Sequence, residues 1–201
     1  MKTFDFKNDV VLENARVQLR PLRMSDHEVL LPIAIEHRDL LQFSPSQINS
    51  PKKLTYYLEQ ALNAKKAGVR YPFIIFDKQQ QQYAGSTSFG HISNYDQRLE
   101  IGWTWIGKGF QGSGLNKECK FLLLRYAFEQ LEFQRVEFKT DSRNLQSRKA
   151  IEKIGGKYEG ELRSHTLMSD GYRRNTVYYS ILSNEWEGLK SSIFHAQAEY
   201  K

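Results

Sequence analysis

Leu99-Glu100-Ile101-Gly102-Trp103-Thr104-Trp105-Ile106, followed by Gly107-Lys108-Gly109-Phe110-Gln111-Gly112-Ser113-Gly114 and then Leu115-Asn116, is the stretch on which the reading of this chain turns. Its first eight residues alternate as a strand does. Leu99, Ile101, Trp103 and Trp105 fall on one face, and Glu100, Gly102, Thr104 and Ile106 on the other. Four glycines in the next eight residues carry more conformational entropy than an ordinary turn needs. From Leu115 to about Leu131 an apolar face of Leu115, Cys119, Leu122, Leu123, Tyr126 and Ala127 predicts an amphipathic helix. In such a strand–loop–helix unit, small residues let main-chain N–H groups wrap a diphosphate, and the helix N-terminus adds partial positive charge.

The segments around this unit predict a mixed α/β chain. Before it, Val17–Arg20 alternates as a short strand, and Ser25-Asp26-His27-Glu28 has the form of a capping box. The helix after that box must kink or restart at Pro32. Ser50-Pro51 starts a second helix with Leu54, Leu58, Ala61 and Leu62 inward and Gly68 at its end. Phe73–Phe76 and Tyr83–Ile92 are strands, the latter loosened by Gly85 and Gly90. After the unit come a strand at Arg135–Thr140, a short helix at Asn144–Ile154, and a hairpin of Tyr158–Leu167 with Tyr172–Leu182 turned at Asp170-Gly171. Ser183 to about Ala198 reads as a terminal helix. No linker, repeat or charge block divides the 201 residues, so a single domain is expected.

Composition narrows the class. One cysteine, Cys119, leaves no intramolecular disulfide and no multi-cysteine metal site. The five histidines lack metal-ligand spacing, so no metal is expected. The charged start and the lone cysteine suit the cytoplasm, and the longest apolar run, Val29–Ile35, is broken by Pro32 and too short for a membrane span. Twenty-nine Lys and Arg against 23 Asp and Glu give a net charge of +6, which favours an anionic ligand. No nucleic-acid motif or aromatic-interleaved basic tract accompanies that charge, so no nucleic-acid partner is expected.

Gly107-x-Gly109-x-x-Gly112 also matches the dinucleotide-binding fingerprint. Against that reading, Glu100 and Thr104 give the strand a polar face where a doubly buried strand would be apolar. The candidate ribose acid, Asp141, lies 29 residues past Gly112, beyond the roughly 20 expected.

Two segments carry a different resemblance. Gln111-Gly112-Ser113-Gly114-Leu115-Asn116 resembles the pyrophosphate loop of the GNAT superfamily of N-acetyltransferases, with Asn116 where that pattern has Gly or Ala. Asn144-Leu145-Gln146-Ser147 through Glu152-Lys153-Ile154-Gly155 is similar to the same family's second signature, with Gly156 where Phe is usual. Glu159-Gly160, Arg163, Asp170-Gly171 and Tyr179–Leu182 resemble the RimJ/RimL-like branch, whose named members acetylate ribosomal-protein N-termini. The likeness runs from about Arg16 to Trp186.

The resemblance implies a mostly antiparallel sheet with one splayed parallel strand pair, and acetyl-CoA as co-substrate with its pantetheine arm in the splay. It implies that main-chain groups of Trp105 and Ile106 pair with that arm, and that amides of Gly112, Ser113, Gly114, Leu115 and Asn116 hold the diphosphate with Gln111 bracing the loop. Lys108, Arg143, Arg148 and Lys149 are candidate phosphate partners, each also readable as a solvated surface charge. For transfer to an amine, Glu100 is the candidate base or else a cross-strand ion-pair partner, with His91 an alternative base. A main-chain N–H near Trp105 is the expected oxyanion donor. Ile151 occupies the position where many family members carry a thiolate-assisting Tyr, which leaves Ser147 as candidate donor to the CoA sulfur. Asn144 bonds pantetheine or caps its helix. Trp103, Trp105 and Cys119 read as core. The acceptor is expected to be a protein or peptide N-terminus or a small-molecule amine, and a homodimer is left open. The rival reading is a non-catalytic CoA-binding or scaffolding protein.

Overall fold

In the computed structural model, which describes residues 2–199, the strand read at Leu99–Ile106 runs from Arg98 to Ile106 and is the fifth of eight in one sheet. In chain order the elements are β1 (Leu12–Glu13), β2 (Val17–Pro21), α1 (His27–Glu36), α2 (Pro51–Lys66), β3 (Arg70–Asp77), β4 (Gln82–Ser93), β5 (Arg98–Ile106), α3 (Leu115–Arg125), β6 (Arg135–Asp141), α4 (Leu145–Glu152), β7 (Lys157–Leu167), β8 (Arg173–Leu182), α5 (Trp186–Ser192) and α6 (His195–Glu199). The strand order is β1-β2-β3-β4-β5-β6-β8-β7. The pairings are antiparallel except between β5 and β6, which run parallel.

That parallel pair opens. β5 and β6 are in register only at Arg98↔Arg135, Leu99↔Val136 and Glu100↔Glu137, although both strands run on, to Ile106 and Asp141. The result is the expected wedge, with β4 closing one side and β8 the other.

Two buried clusters flank the sheet. One, under α3, contains Leu99, Ile101, Leu115, Cys119, Leu122, Val136 and Phe138; the other, under α1 and α2, contains Leu30, Ala34, Leu54, Leu58, Ile74 and Trp105. α3 is buried on more than one face, because Phe121 packs against Trp186 of α5 and against Phe194. Phe121 gives this helix a second apolar face, and the C-terminal segment covers it. The expected single terminal helix is therefore two short ones, broken where Phe194 turns into the core. The helix after the glycine loop also ends early as a regular α-helix, passing into a wide turn at Tyr126–Gln130.

The two early helix starts differ. Ser50 caps α2 as expected, accepting from Lys53 N–H at 3.3 Å. Before α1 neither Ser25 nor Asp26 caps a helix amide with its side chain: Asp26 stands at the N-cap position, and its carboxylate accepts from the preceding Arg23 N–H at 2.8 Å and takes a fork from Arg20 at 3.0 and 2.7 Å. α1 then continues through Pro32 without a restart; Pro32 is exposed, so water can reach the carbonyl that the proline leaves without an N–H. Among the described residues, no helix is long and apolar enough to cross a membrane.

Candidate active site

The strand alternation read for β5 holds only to Ile101. Opposite Thr87 of β4 two residues, Trp103 and Thr104, stand where one would pair, and Trp103 has φ +50°. This bulge shifts the phase of everything after it. Trp105 therefore joins the α1/α2 cluster rather than sharing a core face with Leu99 and Ile101, while Ile106 joins the α3 side. Trp103 is not core: it lies half-buried in the open face, its ring against His91 at 5.8 Å and under the Arg70 guanidinium at 4.9 Å.

The bulge also sorts the main chain. Gly107 N–H bonds Ala84 O at 2.9 Å, so in the same antiparallel ladder Trp105 faces its partner Ser86, and Ile106 between them turns its N–H and C=O into the wedge. Of the two residues expected to pair with a pantetheine arm, only Ile106 has its main chain turned out of the β4–β5 ladder; that of Trp105 faces Ser86. Gln111 braces the loop as read, its Nε2 donating to Ile106 O at 3.0 Å and its Oε1 accepting from Gln146 at 3.2 Å.

Gly112 (φ +76°) and Gly114 (φ +86°) take left-handed conformations that face open space. Among the described residues, no protein acceptor takes the N–H of Gly112, Ser113, Gly114 or Asn116. Leu115 N–H is partly engaged by Ser113 Oγ at 3.4 Å, and that hydroxyl donates to Phe110 O at 2.6 Å. Asn116 Oδ1 is buried without a partner among the described residues. Four open N–H groups at the head of an eleven-residue helix, next to the wedge, fit a diphosphate.

On the α1/α2 side, strands β4, β5 and β6 bring three titratable groups together. Glu100 is only 4% exposed; its carboxylate lies 2.9 Å from Lys139 Nζ and 3.7 Å from His91 Nε2, and those two nitrogens are 3.3 Å apart. The cross-strand ion pair weighed for Glu100 is thus present, with His91 at its edge. Two glycines make room for it. A Cβ on Gly102 would stand 2.7 Å from Glu100 Oε1, and one on Gly90 would overlap the Trp103 ring. Nearby Arg70 donates to Tyr57 Oη at 2.6 Å and to Ser88 Oγ at 2.8 Å. Arg174, buried, reaches from β8 to Phe43 O at 3.0 Å, tying the loop after α1 to the hairpin. Its desolvation lowers its pKa, opposed by Asp141 and Glu100. Sequence reasoning missed Arg70, Lys139, Arg174 and Tyr57, because they lie on four elements with no shared motif.

In the second signature segment the capping role read for Asn144 is present. Asn144 caps α4, accepting from Ser147 N–H at 3.0 Å, which leaves its Nδ2 and the Ser147 hydroxyl free of protein bonds among the described residues. Ile151 is buried in the α3-side cluster, and its Cγ2 lies 2.5 Å from where a Cβ on Gly156 would stand. The two departures from the family pattern are therefore one: Ile151 occupies the volume that a side chain at 156 would need. Of the four cations read as candidate phosphate partners or as surface charges, three contact other side chains. Lys108 pairs with Asp39 at 3.0 Å, Arg143 with Asp141 at 2.7 Å, and Arg148 bonds Tyr179 Oη at 3.1 Å. Lys149 is exposed.

Cys119 is core, as read. Burial pushes its thiol up to about 12, so no thiolate is available near neutral pH. A disulfide reagent is expected to label Cys119 only on unfolding; stoichiometric labelling of the native protein within minutes would contradict its burial. Among the described residues, no group of three His, Cys, Asp or Glu side chains could hold a metal ion.

Comparison with known proteins agrees with this geometry. The acetyltransferase (GNAT) domain family matches residues 16–157. The chain belongs to that family. Among curated relatives, the Bacillus subtilis protein YdaF, provisionally named a ribosomal N-acetyltransferase, is 30% identical over 187 residues, covering 88% of this chain and 97% of its own. Among solved structures, an acetyltransferase of T. thermophilus superposes with a TM-score of 0.85 at 32% identity, covering 98% of this chain and 99% of its own. The ribosomal-protein-S5-alanine acetyltransferase of Vibrio fischeri shares the fold, with a TM-score of 0.70 at 20% identity over 89% of this chain and 99% of its own. This GNAT protein is accordingly an acetyltransferase by family, with the mixed sheet and single parallel pair expected of it.

Proposed function

We propose that this protein is a single-domain, acetyl-CoA-dependent N-acetyltransferase in which an acceptor amine attacks the thioester directly while both substrates are bound. One observation carries the reading: the open N–H groups of Gly112, Ser113, Gly114 and Asn116 stand at the head of α3, beside the wedge between β5 and β6. Those amides and the helix terminus would hold the diphosphate. Ile106, its main chain turned into the wedge, would pair with the arm.

Glu100 serves the acceptor. An alkylammonium with a pKa of about 10 offers almost no free amine at pH 7, so a nearby carboxylate that accepts its proton raises the reactive fraction. Arg70, Lys139 and Arg174 around Glu100 favour an acceptor whose other groups are neutral or anionic, such as the carbonyls of a peptide, over a polycation. A protein or peptide N-terminus is in line with the name of YdaF; a small-molecule amine is the other acceptor to be tried. Calorimetric titration with acetyl-CoA followed by an amine and peptide panel tests the whole reading. Binding without transfer to any amine would instead support a CoA-binding scaffold, the reading favoured by the apolar Ile151 at the usual Tyr position.

Glu100→Gln is expected to lower kcat about 10²-fold at pH 7 and much less at pH 9, where more of the amine is already neutral. An equal loss at both pH values would assign Glu100 only the ion pair with Lys139.

A further inference from the structure

Lys120 is a buried cation at the wedge to which the acetyl-CoA reading gives no task. It projects from α3 and is 6% exposed. Its Nζ donates to Thr104 Oγ1 at 2.9 Å and stands 6.0 Å from the centre of the Phe138 ring. Thr104 belongs to β5 and Phe138 to β6, both beyond the last paired residues Glu100 and Glu137. The ammonium therefore lies at the floor of the wedge, between the two strands that part above it. Thr104 Oγ1 is itself engaged with Thr87 Oγ1 at 2.8 Å. Among the described residues no carboxylate pairs with Lys120, and Thr104 Oγ1 is the acceptor its ammonium has.

A buried ammonium with one neutral acceptor is costly to keep, and a methionine would fill the same volume without that cost. A ligand group in the wedge would supply the missing acceptor. Meanwhile the position at which many family members carry a proton donor holds Ile151, turned into the core, and a serine hydroxyl such as that of Ser147 is too weak an acid to replace it.

We propose that Lys120 is the proton donor to the sulfur of CoA as the acetyl group leaves. The inference rests on the acetyl-CoA reading above. As the amine nitrogen bonds to the acetyl carbon, the carbon–sulfur bond breaks with its electron pair going to sulfur, and a proton from Lys120 Nζ converts the thiolate to the thiol. Glu100, which took one proton from the ammonium before attack, returns it to solvent; the second proton leaves the nitrogen to solvent once the new bond forms, and Lys120 regains its proton from solvent after the products leave. Desolvation lowers the Lys120 pKa to about 8, close to the value of about 8.5 for an ordinary thiol. A donor matched in this way gives its proton readily and recovers it near neutral pH. The groups around it do not compete. α3 presents Cys119, held neutral by burial; β4 and β5 present Thr87 and Thr104, and β6 presents Phe138.

The test reads the sulfur directly, by the ultraviolet absorbance of the CoA thiolate on the full-length protein across pH 6–10, beside calorimetric CoA affinity. CoA bound to the wild type is expected to titrate lower than free CoA, with about tenfold more thiolate at pH 7. Lys120→Met should return the titration to the free value or above while keeping CoA affinity within about threefold, and should remove the limb of the kcat–pH profile near pH 8. Lys120→Arg keeps the charge but cannot release a proton, so it should keep the lowered thiol titration and lose kcat about 10²-fold. Superimposable CoA titrations in wild type and Lys120→Met, or full turnover in Lys120→Arg, would overturn the proposal and leave the acetyl-CoA reading standing. Failure of the wild type to bind CoA would overturn both. Thermal melting of each variant reports folding independently; Lys120→Met is expected to melt no lower than wild type.

Discussion

Gly112→Glu is expected to weaken acetyl-CoA binding by at least about 100-fold while leaving the protein folded. The residue sits at φ +76°, and a Cβ there meets no atom within 4 Å, so the side chain has room. What it costs the fold is the left-handed conformation, about 1 kcal/mol, or a fall in Tm of roughly 2–4 °C for a chain of this size. What it costs the ligand is larger. A carboxylate placed where open amides would meet two phosphates sets like charges within a few ångströms, a loss of several kcal/mol. Gly112→Ala separates the contributions, carrying the conformational cost without the charge, and should lose less than about tenfold in affinity. Affinity of Gly112→Glu within threefold of wild type would remove the diphosphate from this loop.

Gly85→Ala is expected to be the most damaging single methyl group in the protein. Gly85 has φ +150°, and a Cβ there would overlap the carbonyl oxygen of Trp105 and touch Ile106 Cα at 3.0 Å. Neither can yield as a flexible side chain does, since both are main chain of the neighbouring strand. β4 must move off β5 at the rim of the wedge. A loss of about 3 kcal/mol or more follows, seen as a fall in Tm of at least about 6–12 °C. CoA affinity measured well below the melting range should fall with it, because Ile106 is carried on the displaced strand. Gly109→Ala, where a Cβ meets nothing within 4 Å, is the matched control and should change neither. An unchanged Tm in Gly85→Ala would mean that β4 and β5 are not held as close as the register Gly85↔Ile106 requires.

Several features were legible because their causes are local. Ser50-Pro51 starts a helix because the cap and its N–H partner lie three residues apart, and Asp170-Gly171 turns the β7–β8 hairpin because Gly171 supplies φ +83°. The glycine loop announces itself in the same way: its spacing, its place between strand and helix, and the second signature at Asn144 are all written in consecutive residues. The Asp26–Arg20 fork and the uninterrupted Pro32 helix were not legible for a related reason. Arg20, which holds Asp26, comes from a neighbouring strand, and the exposure of Pro32 depends on what α1 packs against.

The amino-acid sequence by itself therefore determined most of the order of elements, the glycine-rich loop between strand and helix, and the family, since each depends on contacts a few residues apart. Only the tertiary structure decided that a bulge at Trp103 turns Ile106 rather than Trp105 toward the wedge, that Glu100 meets Lys139 and His91, and that Ile151 fills the space over Gly156. It alone placed a lysine from the face of α3 beneath the parted strands. The physical reasons are two. An alternating pattern fixes which face a residue occupies only while pairing is regular, and which groups meet Glu100 or Lys120 depends on elements brought together from distant parts of the chain. Ile151 and Gly156 are close in sequence, but the turn that brings them into contact is set by how the end of their helix packs.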